Sequence, residues 1–370
     1  MPRWVLDIQN ATLLAFVRLA SEAMKAIVLR EYGGPEVLRL EDVAQPDPAA
    51  GEVLIQVHAV SVNRTLDLQV REDGGGYGGT LPLVMGVDPS GIVAAAGQGV
   101  EGLHEGDRVT AFALVPCGKC ANCAAGRRQA CTSYGLLGVH LWGGYAEYVV
   151  VPAINCTVIP DSVSFAAASV FSRHFPTAYS ELRKGDLQSG EWAFILGASG
   201  GLASCLLQAA KEAGARVIAG ASSEERVQAA LSLGADFGIN YSREDLLLEV
   251  LRLTDGRGAD VVFDNIGKPG LWSQALACLA TGGRLVTAGA HGGGMVTLDV
   301  KRLYQKQLQV TSGLGLEKRE DIAHSLELAA QGRYRALIDR VLPLKEAAAA
   351  HALVAENRTL GKVILDPTLG

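Results

Sequence analysis

The sequence predicts an α/β protein of two domains: a barrel-like antiparallel β domain, then a doubly wound parallel sheet with helices on both faces. Three observations carry this. Segments such as "EVLIQVHAVSV" alternate apolar and polar positions, as half-buried strands do. Beyond about Asp161, short apolar strands alternate with helical stretches, the pattern of a parallel sheet. Glycine is abundant, 44 of 370 residues, which suits many tight strand-to-helix turns.

Residues 1–23 read as an N-terminal extension. The stretch contains Asp7 and Arg18, its uncharged run is too short to cross a bilayer, and it lacks a basic start and a small-residue cleavage site. No membrane contact and a cytoplasmic location are therefore expected. Residues 24–173 are expected to form the first domain, from "MKAIVLREYGG" through "GVDPSGIVAAAGQGV", "GDRVTAFA" and "GGYAEYVVVP". Asp161 in "DSVSFAAASV" is a candidate helix cap. Residues 174–315 carry the strand–helix alternation, and residues 316–370 are expected to return to the first domain through "RALIDRVLPL" and "GKVILDP". The formal charge of −6 and the lack of a basic block argue against a nucleic-acid partner.

Four of the seven cysteines, Cys117, Cys120, Cys123 and Cys131, fall in "CGKCANCAAGRRQAC". Two-residue spacers let successive thiolates turn onto one ion, and four sulfur ligands close a tetrahedral zinc. Such a zinc has no open position for water or substrate, so its role is structural. The remaining Cys156, Cys205 and Cys278 read as small buried hydrophobes.

"AFILGASGGLASCLLQAAKEAGARVIAGASSEER" is strand, glycine turn, helix and second strand. Gly197, Ser199, Gly200 and Gly201 form a turn whose backbone can approach a pyrophosphate, and the helix starting near Leu202 offers free N–H groups. The second strand ends in Ala221, Ser222 and Ser223 where an acidic residue would grip the ribose of NAD. Arg226 follows one turn later. Hydroxyls and a guanidinium fit a 2′-phosphate, so NADPH is the expected cofactor, with a solvated Arg226 as the alternative.

Together the cysteine loop, the glycine turn and segments such as "GGYAEYVVVP" and "GKVILDP" resemble the medium-chain dehydrogenase/reductase superfamily from Met24 onward. The resemblance implies a GroES-like barrel, a Rossmann domain, a nicotinamide cofactor in the cleft between them, one structural zinc and a homo-oligomer, dimer or tetramer. Alcohol dehydrogenases of the family hold a second, catalytic zinc. Here Asn63, Val87 and Arg173 stand at its ligand positions, with Asp88 and His174 each displaced by one residue.

An Asn at the first position is similar to the quinone oxidoreductases and enone reductases, which need no metal for hydride transfer. That branch implies cofactor contacts at Asn63, Ser222, Arg226, Tyr241 and Arg358. It implies a nicotinamide lining of Thr177, Asn265, Gly289, Ala290 and Leu314. Asn63 and Arg64 are candidate oxyanion donors, Arg173 a candidate anion partner, and His140 and His174 candidate proton donors. Asp67 and Asp88 are expected to anchor the barrel. One departure is visible: three residues separate Asn63 from Asp67 where the related reductases have two. The substrate is expected to be a small carbonyl, enone or quinone. A carbonyl-reducing alcohol dehydrogenase and a non-catalytic, crystallin-like NADPH binder are the alternatives.

Overall fold

The computed structural model describes residues 22–127 and 130–370, so the N-terminal extension up to residue 21 lies outside the described residues. The first domain is built on ten strands: β1 (Ala23–Leu29), β2 (Leu38–Ala44), β3 (Glu52–Ser61), β4 (Leu83–Val84), β5 (Ser90–Ala96), β6 (Arg108–Ala111), β7 (Leu114–Val115), β8 (Gly135–Leu136), β9 (Tyr148–Pro152) and β10 (Cys156–Val158). The ten-residue β3 is its hub, pairing antiparallel with both β5 and β9. Val53, Ile55 and Val57 of β3 are fully buried and join Val93, Val109, Val149 and Val151 in one core. Each such side chain contributes roughly 1.5–3 kcal/mol by leaving water.

A 20-residue helix, α1 (Phe165–Lys184), leads out of the barrel. Its cap is Ser164, whose side chain accepts from the Ala167 amide at 3.2 Å. Asp161, the expected cap, is instead exposed in the preceding turn and only 3.9 Å from Arg108. Ser164 wins because it stands directly before the apolar run that α1 buries. The helix runs unbroken through residues 173 and 174, where the boundary between the domains is expected. One half packs on β3 and β6, the other on the second domain.

The second domain holds a six-stranded sheet of β11 (Trp192–Leu196), β12 (Arg216–Ala221), β13 (Phe237–Asn240), β14 (Ala259–Asp264), β15 (Leu279–Thr287) and β16 (Gln309–Ser312). All pairs are parallel and the spatial order is β13-β12-β11-β14-β15-β16. Counted from β11 this is 3-2-1-4-5-6, the doubly wound order whose switch point lies beside the first strand. Every residue of β11 is buried, as a central strand covered on both faces requires. Leu196 pairs with Gly220 on one side and Asp264 on the other, so three loops leave the sheet at one level. That register brings the glycine turn, Ser222 and Asn265 to a common crevice.

The helix α2 (Gly201–Glu212) follows β11, and α3 (Glu224–Ser232) follows β12. A later helix, α4 (Glu320–Ala330), packs on α1 with Ile322 and Leu326 in the second-domain core. The return to the barrel therefore begins not at residue 316 but at β17 (Ile338–Pro343). Helix α5 (Ala347–Ala355) and β18 (Lys362–Asp366) complete it, with β18 pairing both β17 and β3. Cys156, Cys205 and Cys278 are buried as expected.

Candidate functional site

A cleft of about 820 Å³ runs between the two domains. Its floor is the turn after β11. Gly197 has φ +68°, a conformation natural to glycine, and Gly200 begins α2 without a side-chain cap, leaving N–H groups open. Gly201 has a second reason to be glycine. A Cβ there would lie 2.6 Å from Lys362 Cδ and 2.7 Å from His174 Nε2, so barrel side chains reach under the turn. Ser199 and Leu202 line the same floor.

At one end of the cleft the expected nucleotide residues converge. Arg226 donates to Ser199 Oγ at 3.1 Å and to the carbonyls of Asn357 and Thr359 at 3.0 and 2.8 Å. It is a tether across the cleft rather than a solvated helix residue. Ser222 and Tyr241 line the cleft with it. Arg64 enters from the opposite wall. It donates to Val354 O and, at 3.4 Å, to Ala355 O at the negative C-terminal end of α5. Two guanidiniums thus share one end, and sequence reasoning had placed Arg64 only among oxyanion donors.

The extra residue between Asn63 and Asp67 explains that placement. Residues 64–68 close a π-type turn in which both Asp67 N and Leu68 N donate to Asn63 O, at 2.8 and 3.3 Å. The wide turn absorbs the insertion, and Asp67 still folds back to accept from Asn63 N at 2.7 Å.

At the other end Asn63 is fully committed. Its Oδ1 accepts from Lys362 Nζ at 2.8 Å, and its Nδ2 lies 3.0 Å from Asp88 Oδ2 and 3.2 Å from Asp67 Oδ2. This corrects its reading as a free oxyanion donor. Asp88 also accepts from the Ser61 amide at 2.8 Å, the anchoring role expected of it. Burial and the neighbouring Asp88 push the Asp67 carboxyl up to about 7. Burial, more than any neighbour, pushes Lys362 down to about 8.

His174 is buried, and that burial, with Lys362 and Arg173 nearby, holds its pKa well below the usual range. That shift favours the neutral ring, and its Nε2 lies in the cleft wall without a hydrogen-bond partner among the described residues. The proton-donor reading of His140 is corrected. Its Nδ1 accepts from Leu136 N at 3.0 Å and its Nε2 meets Tyr77 O at 2.8 Å, outside the cleft lining. Both nitrogens serve the fold.

Thr177, Asn265, Gly289 and Leu314 line the cleft together. Asn265 donates to Glu181 Oε2 at 3.1 Å and accepts from Ala288 N at 3.0 Å, so it holds the 288–289 loop in shape. Glu181, unforeseen in the sequence, is fully buried and pushed up to about 8 by that burial. Its position one turn beyond Thr177 on α1 was the available signal. Two expected contacts are not brought in: Ala290 is exposed beside Gly289, and Arg358 points to Glu356 at 3.0 Å.

The four loop cysteines place their Sγ atoms within 4.8 Å of one another. A tetrahedral zinc with ligands at about 2.3 Å needs sulfurs roughly 3.8 Å apart. Cys120 and Cys131 are 3.9 Å apart. Amides of Cys117 and Ser133 point at Cys131 Sγ at 3.3 and 3.4 Å, and the amides of Thr132 and Cys123 hold Cys120 down at about 5. Donated N–H bonds of this kind support thiolates around a metal, so the residues fit zinc. Arg128 and Gln129 of this loop lie outside the described residues.

A glycine turn at the switch point, phosphate-type donors at one end and a polar pocket at the other define a nucleotide-dependent dehydrogenase cleft. The alcohol dehydrogenase GroES-like domain family matches residues 49–161, and the zinc-binding dehydrogenase family matches residues 201–331. The NAD-dependent alcohol dehydrogenase of Sulfolobus acidocaldarius is 35% identical over 93% of this chain and 100% of its own. The quinone oxidoreductase of Pseudomonas aeruginosa is 33% identical over 93% of this chain and 99% of its own. A crystal structure of an NAD-dependent alcohol dehydrogenase superposes with a TM-score of 0.86 at 37% identity, covering 93% of this chain and 99% of that one. The chain belongs to the medium-chain dehydrogenase/reductase superfamily. No helix among the described residues is long and apolar enough to cross a membrane.

Proposed function

We propose that the protein is an NADPH-dependent reductase that passes hydride to an activated carbon–carbon double bond or a quinone without a catalytic metal. The observation that carries this reading is the set of side chains at the three catalytic-zinc positions of its alcohol dehydrogenase relatives. Asn63 has its amide committed within the protein, Val87 is apolar and Arg173 is cationic. A cation at that point would be repelled by the guanidinium. The cysteine quartet would hold one zinc, whose chemistry there is to cross-link the loop.

NADPH, when bound, supplies the hydride. The chain's own part is placement and electrostatics. The open amides of α2 suit a pyrophosphate. Ser222, Tyr241, Arg226 and Arg64 suit a 2′-phosphate, and no carboxylate stands at the end of β12 to favour NAD. With His174 neutral, the proton that completes the reduction comes from water or from the Tyr77 phenol, which lines the cleft and is kept protonated by burial. A homo-oligomer belongs to the same reading: β16 is an edge strand, and Val300, Tyr304 and Val310 leading into it are exposed.

Deuteride from labelled NADPH tests the chemistry. Label at the β-carbon of a reduced enone supports this function. Label at the carbonyl carbon, with an alcohol as product, would move the protein to a second reading, an alcohol dehydrogenase or carbonyl reductase. That reading is favoured by the 35% identity to an NAD-dependent alcohol dehydrogenase.

A further inference from the structure

Of the cations that line the cleft, Arg226, Arg64 and Lys362 are engaged within the protein, Lys268 is exposed to solvent, and Arg173 lies on α1 without a partner among the described residues. Arg226 is held by Ser199 and two carbonyls, Arg64 by the end of α5, and both are assigned above to the cofactor phosphate. Lys362 donates to Val62 O and Asn63 Oδ1, with the Asp67 and Asp88 carboxylates behind that amide. Arg173 has none of this. Among the described residues it makes no hydrogen bond and no ion pair, and its Nε is shielded from solvent without an acceptor. It lies in the middle of α1, one residue before His174 and four before Thr177, and lines the cleft. Tyr77 lines the same wall within reach of its field.

A guanidinium whose Nε is out of solvent without an acceptor carries an unmet donor in the resting protein, and a bound cofactor would strip water from the rest of it. A transient oxyanion answers that only at the transition state. A permanent anion on the substrate answers it in the ground state, and a planar carboxylate matches the two-pronged guanidinium better than a neutral carbonyl. We infer that Arg173 is a specificity-determining residue that binds a carboxylate carried by the substrate, so that the physiological acceptor is an acidic enone or quinone. This rests on the reductase reading above and adds the class of acceptor.

The experiment compares (E)-4-oxo-4-phenylbut-2-enoate with its methyl ester, both as substrates with NADPH. In parallel, the saturated acid, 4-oxo-4-phenylbutanoate, and its ester are titrated calorimetrically into the NADPH-loaded protein. The acid is expected to surpass the ester in kcat/KM and in binding by roughly ten- to a hundred-fold. In Arg173→Met that acid-to-ester ratio falls toward one, and Arg173→Lys retains part of it. An equal response to acid and ester in the unaltered protein overturns the inference, as does a preference that survives in Arg173→Met. The unaltered protein decides even if the variants do not fold. Failure to oxidise NADPH with either compound counts against the reductase reading, while the binding ratio still judges Arg173.

Discussion

Replacing Arg226 by Ala separates cofactor choice from architecture. The guanidinium has two jobs in the structure: it spans from α3 to the 357–359 loop, and it stands beside Ser222 and Tyr241 where a 2′-phosphate would sit. The phosphate contact belongs to NADPH alone. A hydrogen bond to a charged group contributes about 1.5–3 kcal/mol, which is roughly a ten- to hundred-fold change in affinity. The tether serves both cofactors, because it positions Ser199 at the glycine turn through a 3.1 Å contact. Dissociation constants for NADPH and NADH, measured by nicotinamide fluorescence, therefore should diverge. NADPH should weaken by the full factor and NADH by only the shared part, with the NADPH loss shrinking as salt rises. Equal weakening of both cofactors would refute the 2′-phosphate assignment and leave Arg226 as a cross-cleft strut.

Two further outcomes are expected. Purified protein should carry about one zinc per chain, and Cys120→Ser should lower zinc content and melting temperature more than hydride transfer in the molecules that stay folded; a metal-free native protein would count against the cysteine site. Glu181, raised from 4.5 to about 8 by burial, favours the fold fully below pH 4.5, loses that advantage as pH climbs to about 8, and is flat above it. Glu181→Gln keeps an acceptor for Asn265 and cannot ionise, so at pH 9 it should recover up to about 5 kcal/mol relative to the unaltered protein; identical denaturation profiles from pH 5 to 9 would contradict a neutral Glu181.

What was legible in the sequence depended on short-range spacing. The cysteine spacers and the strand–glycine–helix order are local, and both emerged where expected. The domain boundaries were not legible, because α1 is one continuous helix that serves both domains and α4 packs on it from far along the chain. Ser222 and Arg226, neighbours in sequence, are also neighbours in the cleft, so their proximity was legible. The site was misread where a partner arrives from afar. Asn63 looked like a free amide until Lys362, 299 residues later, took its oxygen. His140 looked available until the Tyr77 carbonyl took its ring nitrogen.

The same long-range partner also bears on the buried carboxylates beside Asn63. Asp67 and Asp88 are buried together, and burial with Asp88 nearby pushes Asp67 up to about 7. Behind the pair stand Tyr145, whose hydroxyl reaches Asp67 at 3.4 Å, and His351, pushed down to about 3 by burial and so neutral. The cation nearest the pair through hydrogen bonds is Lys362, coupled through the Asn63 amide, which accepts from the ammonium and donates to the carboxylates. An asparagine does both through separate atoms, whereas a cysteine offers only a weak donor and a weak acceptor on one sulfur. Gly201 leaves the space through which Lys362 passes. Asn63 thus couples a fixed ammonium to the two carboxylates, and Arg173 remains a cleft-lining cation without a partner among the described residues.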